Sequence, residues 1–434
     1  MKKTSITIIL TFLSTVMAFG ADGDNFRAVT AEGVSVKFKV ISEEDKTCSV
    51  GWNSSSAAVD SNTTEGTVTI PSEANGYTVV NIGEYAFYDC KKITNVVLPE
   101  TITSLERWAF YNSGITSILL PESLSTIKVS AFLNCASLTS VNLPSQLTSL
   151  GASAFSGCSS LQTIDIPEGI IYIQGGTFEG CSSLRRVDIP STIKKILNDA
   201  FSGCASLEEI SLPVNLESVG NGVFTGCSAL KTVVISTPTV STWFRKMESL
   251  EQLVLENTVT SINTYAFQNC KNLKSVILSE NLESIGNYAF DNTAIEEVDL
   301  PSSITSIGTG AFRNCNNLKH IQSQITNLFS TSAFTWTNTV LIVPKGLRSD
   351  YKSVSGWKNA VVFEDGETVY DKIHADDQGI KYTLNQDANN NVYYSVTGHT
   401  DILPTSIIIP NNLRAVLFLP YRIMPLPIVS IWSR

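Results

Sequence analysis

Cysteine is the residue type with the most chemical potential in this chain of 434 residues, which contains nine of them. Zinc sites usually take ligands two to four residues apart, and no two cysteines have that spacing. Eight of the nine instead recur at one position of an internal repeat: Cys90, Cys135, Cys158, Cys181, Cys204, Cys227, Cys270 and Cys315. Stacked repeats would bring neighbouring members within disulfide reach by separation, but with parallel side chains. A buried thiol packs as a small hydrophobic group, so we expect a structural column, with some disulfides as the alternative.

The other residues capable of chemistry form no recognisable site. No cysteine lies two to four residues from any of the three histidines, His320, His374 and His399, so we expect neither a metal nor another cofactor. The sequence contains no glycine-rich phosphate loop and no nucleophile elbow. Carboxylates are plentiful, and a glycosidase pair among them is the less favoured alternative. The sequence therefore predicts a protein that is not an enzyme.

Regularly spaced phenylalanines show which elements position the cysteines. They follow one another at 22 or 23 residues, with one interruption of 43 residues: Phe87, Phe110, Phe132, Phe155, Phe178, Phe201, Phe224, Phe267, Phe290, Phe312 and Phe334. Self-similarity at such a period indicates a solenoid, in which each repeat packs only against its neighbours. The phenylalanines are expected to form a structural core column, one ring above the next.

One clear repeat shows how a unit should fold. Leu161, Ile164 and Ile166 match the L-x-x-L-x-L core of a leucine-rich repeat, whose last residues form a short strand. Side chains alternate along a strand, so Ile164 and Ile166 should point inward. Pro167 should end the strand because proline cannot donate a further ladder hydrogen bond. The sequence thus predicts a β-rich repeat solenoid with a parallel β-ladder of about 12 units of ~23 residues.

One unit departs from the pattern. Between Ile235 and Leu250 the repeat loses about three residues, although the apolar ladder pattern resumes at Leu250. We expect a local kink or bulge there, with Trp243 or Phe244 replacing the usual ring.

The consensus phrase of the repeat resembles a known family. Residues 82–90 (Ile-Gly-Glu-Tyr-Ala-Phe-Tyr-Asp-Cys) and 307–315 (Ile-Gly-Thr-Gly-Ala-Phe-Arg-Asn-Cys) are close copies of it. This phrase resembles the BspA-like leucine-rich repeats of bacterial surface proteins, over roughly residues 67 to 362. The resemblance implies a curved or gently twisted solenoid and roles in adhesion or surface binding. It also implies that Trp357 closes the last coil, because similar endings close arrays of this family.

The ends of the chain suggest further segments. Residues 1–20 read as a signal peptide, with Lys2 and Lys3 before an apolar stretch and small residues at its end. Residues 21–66 should form an N-terminal cap, and residues 67–362 the solenoid with its C-terminal cap. Residues 363–410 read as the β-rich start of a second module, because 379–384 echo 33–38. Residues 411–434 fit no repeat, which we interpret as a truncated or frameshifted tail.

Charge and exposure decide which partners are expected. Formal net charge is −10, and loss of Lys2 and Lys3 would make it −12. Such a chain should repel nucleic acid, and no stretch reads as a transmembrane span. The outward strand positions form the candidate protein-binding face: Leu119, Asn142, Asp165, Arg186, Asp188, Glu209, Gln252, Val254, Ile277, Glu297, Asp299 and His320. With neither a basic stripe nor an aromatic row, this face suits an extracellular or host protein.

The sequence therefore predicts an exported protein, secreted or held at the cell surface, and monomeric. Its expected function is that of a surface adhesin or protein-interaction scaffold. An accessory carbohydrate-binding or surface-assembly protein is the alternative, and a hydrolase is a third.

Overall fold

A computed structural model describes residues 21–52, 56–367, 373–375, 381–386 and 392–398. The predicted repeat solenoid is confirmed, with about 13 turns of about 23 residues and almost no helix. The predicted signal peptide, His399 and the tail at 411–434 lie outside the described residues, as does the side chain of His374.

An antiparallel meander begins the described chain. It consists of β1 (Asn25–Val29), β2 (Ser35–Ser42) and β3 (Thr47–Val50). Strand β3 then pairs in parallel with β6 (Tyr77–Ile82), and the two-residue β5 (Glu73–Ala74) pairs with β6 in the antiparallel sense. The parallel stacking of the solenoid therefore already begins within residues 21–66, which sequence reasoning treats as a cap.

The strands of the L-x-x-L-x-L phrase stack in parallel, and we call this stack the front ladder. Its strands pair with their equivalents one repeat later, as Ile164 does with Val187, in five sheets of two to four strands that follow one another along the stack. Its members are β4 (Gly66–Thr69), β7 (Ile93–Val97), β9 (Ser117–Ile118), β11 (Ser140–Val141), β13 (Thr163–Asp165), β15 (Arg186–Asp188), β17 (Glu209–Leu212), β19 (Thr232–Ile235), β21 (Gln252–Leu255), β23 (Ser275–Ile277), β25 (Glu297–Leu300), β27 (His320–Ser323), β28 (Val340–Val343) and β29 (Val361–Glu364).

A second parallel stack, the side ladder, continues from β6 with two-residue strands. Its other members are β8 (Ser104–Leu105), β10 (Thr126–Ile127), β12 (Ser149–Leu150), β14 (Tyr172–Ile173), β16 (Lys195–Ile196), β18 (Ser218–Val219), β20 (Thr239–Val240), β22 (Ser261–Ile262), β24 (Ser284–Ile285) and β26 (Ser306–Ile307). In most of these strands the second residue is a buried aliphatic, so the ladder supplies a second wall of the core.

The phenylalanines form one stack between the ladders. Neighbouring rings are nearly parallel, with centroids between 5.0 Å (Phe110 and Phe132) and 6.2 Å (Phe201 and Phe224) apart. In the short unit Phe244 fills the gap, 5.1 Å from Phe224 and 6.2 Å from Phe267, inside the 3₁₀ helix Thr242–Phe244. The expected replacement of the ring is therefore made by Phe244, while Trp243 stays half-buried at the surface.

Aromatic residues close the last coil. The fully buried Trp357 lies 5.3 Å from the Phe334 ring and donates a hydrogen bond from Nε1 to the Phe329 carbonyl. The edge of Tyr351, from helix α1 (Arg348–Ser353), packs against Trp357. This geometry gives Trp357 the closing position that the family resemblance implies.

A second meander follows the solenoid. It consists of β30 (Ile373–Ala375), β31 (Lys381–Gln386) and β32 (Val392–Gly398). Ile373 pairs with Thr383, just as Arg27 pairs with Lys37 in the first meander. Each residue of the later pair lies 346 positions after its counterpart in the earlier pair. The similarity that sequence reasoning sees between 33–38 and 379–384 thus extends to strand pairing.

Candidate functional site

Outward side chains of the front ladder form a continuous face, which we call the front face. Nine of the twelve predicted binding residues are exposed, and three are half-buried, namely Gln252, Val254 and His320. Ladder pairing makes several of them direct neighbours, including Val254 with Ile277 and Glu297 with His320. The Nδ1 atom of His320 lies 3.2 Å from a Glu297 carboxylate oxygen.

The front face is acidic, with one fixed basic group near its centre. Asp165 lies directly opposite Asp188, and like charges at paired positions destabilise a sheet. The Arg186 guanidinium offsets this repulsion because it binds both carboxylate oxygens of Asp188, with N–O distances of 3.0 and 2.8 Å. This ion pair is exposed, so it organises the charges of the face more than it stabilises the fold.

Large apolar side chains interrupt the polar surface of the front face. Leu119 is 75% exposed, more than any other large hydrophobic residue among those described, and Ile277 is 53% exposed. Ile277 is paired with Val254, and adjacent exposed apolar groups on a soluble protein often mark a protein-interaction site.

Asn142 has a different role from the one its exposed position suggests. Its Oδ1 accepts a hydrogen bond from the Leu120 backbone N–H at 3.0 Å, and its Nδ2 donates to the Leu120 carbonyl at 3.1 Å. The side chain thus supplies the bonds that the neighbouring strand would otherwise make, just beyond the two-residue strands β9 and β11. Asn142 therefore supports the front face and has few groups left for a ligand.

The column cysteines lie behind the turns as buried free thiols. Seven of them donate hydrogen bonds to the carbonyl of the stacked phenylalanine in the preceding unit, with Sγ–O distances from 3.0 Å (Cys270 to Phe244) to 3.3 Å (Cys204 to Phe178). Cys48, the thiol outside the column, is buried in β3 and bonds the Tyr77 carbonyl. The described residues include no group of three or more His, Cys, Asp or Glu side chains that could hold a metal ion.

An aromatic patch on the turns was missed by sequence reasoning. Tyr85 stacks on Trp108 at 5.0 Å, and Tyr88 stacks on Tyr111 at 5.4 Å. Together with Leu133 these rings line a pocket of about 390 Å³. Aligning the position two residues before each phenylalanine would have revealed Tyr85 and Trp108 in one column.

A second cluster on the turns combines aromatic and charged groups. Tyr265 stacks on Tyr288 at 5.5 Å, and the Arg313 guanidinium lies 4.6 Å from the Tyr288 ring centroid. Arg313 also binds both carboxylate oxygens of the buried Asp291. Burial would raise the pKa of Asp291, but hydrogen bonds from Arg313 and Gln268 and the Arg313 charge outweigh burial and lower it.

Parallel ladders, a buried ring stack and one unit per 23 residues define a leucine-rich-repeat solenoid, a class of proteins that is generally non-enzymatic. The chain belongs to the family with the BspA type leucine rich repeat region, whose sequence profile matches residues 61–174, 151–242 and 237–345 with six copies of the repeat. The resemblance seen in the sequence is thereby confirmed.

Several solved structures are similar to this chain. A leucine rich cell surface protein from Faecalibacterium prausnitzii A2-165 is 24% identical with a TM-score of 0.44, covering 76% of this chain and 98% of that one. A leucine-rich repeat protein from Bacteroides ovatus ATCC 8483 is 24% identical with a TM-score of 0.41 and the same coverage. A solved structure of the pneumococcal vaccine antigen PcpA is 18% identical with a TM-score of 0.37, covering 80% of this chain and 100% of that one. No curated protein sequence matches the chain.

None of the described helices is both long and apolar enough to cross a membrane.

Proposed function

We propose that the protein is exported and binds another extracellular protein through the front face, as an adhesin or interaction scaffold. The observation that carries this proposal is the exposure of the large apolar side chains of Leu119 and Ile277 on a front face whose other predicted binding residues, apart from Val254, are polar. Apolar groups surrounded by polar ones are the usual composition of a protein interface, whose centre excludes water.

Charge supports a partner with a basic surface. The front face carries Asp165, Asp188, Glu209, Glu297 and Asp299. Arg186 is the one arginine among its predicted binding residues. Complementary charges accelerate association and select partners, so binding should weaken as salt concentration rises.

Export is supported by the N-terminal sequence. Lys2 and Lys3 precede a short apolar stretch that ends in small residues, which is the composition of a secretory leader. If this segment is cleaved, the protein is secreted or held at the cell surface.

Binding by the whole chain to immobilised extracellular-matrix proteins tests the proposal. The L119D and I277D double variant should lose at least about tenfold in affinity, because each change places a charge at an exposed apolar position of the front face. The matched control is the V129D and I171D double variant, which alters comparably apolar residues, 39% and 46% exposed, away from the front face. Equal losses in both variants, or no retained protein at all, would contradict the proposal.

Accessory carbohydrate binding is the second candidate, and the aromatic patch favours it. Rings such as Trp108 and Tyr111 beside a pocket of about 390 Å³ suit the apolar faces of neutral sugars. Retention of neutral glycans that is lost in W108A but kept in the L119D and I277D double variant would support this candidate. No observation favours the hydrolase alternative.

A further inference from the structure

The short unit leaves a recess in the turn side of the solenoid. Val240 and Phe244 are four residues apart, whereas the equivalent Ile262 and Phe267 are five apart, so this turn is one residue shorter. The front ladder passes through this unit, since β19 pairs with both β17 and β21. The side ladder is interrupted between β18 and β20 and resumes with the pairing of β20 and β22. The shortened turn and the interrupted side ladder border a recess of about 770 Å³, lined by residues 219–228, 241–243 and 245–249.

Main-chain hydrogen bonds stop at this recess. In a regular turn three alternate N–H groups donate to three alternate carbonyls of the next turn, as Ser153, Phe155 and Gly157 do to residues 175, 177 and 179. The same set of bonds begins at the turns around Phe87, Phe132, Phe178, Phe201, Phe267 and Phe290. The equivalent N–H groups of Gly222, Phe224 and Gly226 have no acceptor among the described residues.

The spacing of these three donors fits a polypeptide. In the seven turns that make the full set, the groups at these positions bind carbonyl oxygens from alternate residues of one backbone segment. A ligand that offers acceptors at the same spacing is an extended peptide, as in strand addition to an open sheet edge.

A cation lies in the wall of the recess. Lys246 is exposed and makes no ion pair with any described residue. Arg245 is held beside it by two hydrogen bonds to Gln268 Oε1, at 3.0 and 2.7 Å. The acidic residue of the wall, Glu248, is already paired with Lys271 at 2.8 Å. The recess is therefore locally cationic in an acidic protein, which favours carboxylates.

Lys246 also occupies a backbone position where lysine is unusual. In every unit before the last, the residue two after the stacked phenylalanine has a positive φ, and Lys246 has a φ of 64°. The other ten members of this column are all Asp, Asn or Gly: Asp89, Asn112, Asn134, Gly157, Gly180, Gly203, Gly226, Asn269, Asn292 and Asn314. These residue types tolerate the left-handed conformation, whereas lysine is strained there. Strain of this kind is often found at functional sites.

We propose that the recess binds an acidic peptide segment of a partner protein. Carbonyl oxygens of the peptide accept hydrogen bonds from the N–H groups of Gly222, Phe224 and Gly226, and its carboxylates pair with Lys246. The half-buried Trp243 offers a flat apolar wall beside them. This site is separate from the front face, and the proposal does not rest on the function assigned to that face.

Titration of the ¹⁵N-glycine-labelled protein with two peptides tests the proposal. The probes are acetyl-Glu-Gly-Glu-Gly-Glu-amide and its neutral counterpart, in which glutamine replaces each glutamate. The acidic peptide should shift the amide resonances of Gly222 and Gly226, and should bind about threefold to fivefold more tightly than the neutral one.

Two variants make the test specific. K246N removes the charge but places a residue favoured by the left-handed backbone, so it should fold normally and bind both peptides with equal, weaker affinity. A repaired variant carries residues 263–272 in place of 241–249, which restores the missing residue and should abolish binding. The L119D and I277D double variant should bind the peptide normally.

Three results would overturn the proposal. One is the absence of shifts at Gly222 and Gly226 with the acidic peptide. Another is undiminished binding by the repaired variant. The third is a larger shift of the same amides with methyl β-D-glucuronide than with the acidic peptide, which would make the recess a site for acidic sugars instead.

Discussion

The Cys181 thiol donates a hydrogen bond to the backbone carbonyl of Phe155, one unit earlier, across an Sγ–O distance of 3.1 Å. The same bond recurs along most of the cysteine column. It requires the protonated thiol, because a thiolate has no hydrogen to donate. The column therefore links the packing of neighbouring units to the protonation of buried groups.

Stability should fall at alkaline pH because of these thiols. Burial raises the pKa of Cys181, Cys227 and Cys270 to about 12. In the unfolded chain they ionise near their ordinary pKa of about 8.5, so the stability they provide is complete below that pH and is lost as pH rises toward 12. Each thiol should contribute about 1.4 kcal/mol per pH unit across that window.

The double variant C181A and C227A checks this expectation. Urea unfolding under reducing conditions between pH 9.5 and 11 should show a slope reduced by about 3 kcal/mol per pH unit. An unchanged slope would mean that the thiols already ionise in the folded protein.

The centre of the ring stack should be the part of the core most sensitive to truncation. Phe201 is fully buried and lies 5.4 Å from Phe178 and 6.2 Å from Phe224. F201A should lower the free energy of unfolding by about 3–5 kcal/mol, because it leaves a cavity between two rings. F334A, at the half-buried end of the stack, should cost clearly less. Equal costs in thermal unfolding would contradict a solenoid stabilised mainly by contacts on both sides of each unit.

Asp291 should stabilise the fold only in its ionised form. Its carboxylate accepts hydrogen bonds from Arg313, Gln268 and Asn314. D291N should cost about 1–2 kcal/mol at pH 7, since it leaves the Arg313 charge without its partner. Because the pKa of Asp291 is lowered in the fold, its contribution is present above the unfolded pKa of about 3.9 and is lost as pH falls below it.

The pH dependence of the unfolding free energy provides the control for D291N. The difference between D291N and the unaltered protein should shrink between pH 4 and pH 2. A difference that stays constant over that range would show that the carboxylate charge is not the source of the stability.

Asn142 should act on the fold rather than on a ligand. N142D keeps the oxygen that accepts the Leu120 N–H but loses the N–H donor to the Leu120 carbonyl. We expect a loss of about 1 kcal/mol in unfolding free energy, because one hydrogen bond disappears and a charge replaces it. Q252E, a matched change on the same face, should have little effect. Similar unfolding free energies for N142D and Q252E would contradict a structural role for Asn142 and favour a role in ligand binding.

The side chain of Gln386 should help to keep the protein monomeric. Its Oε1 accepts a hydrogen bond from the Val362 N–H at 3.2 Å, and its Nε2 donates to the Val362 carbonyl at 3.1 Å. Val362 belongs to β29, the last strand of the front ladder, and an uncovered strand edge is a template for association. Q386A should therefore increase self-association in analytical ultracentrifugation, whereas a variant such as T383A should not. A monomeric Q386A would contradict this role.

The repeat made the fold largely predictable from the sequence. Strands, ring stack and thiol column all follow from one 23-residue period, because every unit buries the same positions against its neighbours. The spacing also favours Phe244 over Trp243 as the replacement ring, since Phe244 precedes Leu250 by six residues, as Phe267 precedes Leu273.

Contacts between units were less predictable than positions within a unit. The role of Asn142 depends on where it lies relative to Leu120, 22 residues away, and no local pattern encodes that pairing. The aromatic patch was missed because Tyr88 and Tyr111 occupy a turn position that is polar or small in most units. The recess depends on hydrogen bonds that the Phe224 turn does not make to the shortened turn after it, and this contact between units is not encoded in either turn alone.

Stacking one unit per ladder step also has a mechanical consequence. Each unit adds only ~4.8 Å to the length of a ladder, yet its 23 residues reach about 75 Å when extended. A force that pulls the two ends apart loads the inter-unit bonds one after another, so the units should detach one at a time. Each detached unit should become roughly fifteen times longer than the ladder step that it occupied. The turn at Phe224, which makes no main-chain bonds to the turn that follows it, is the place where such unravelling should begin.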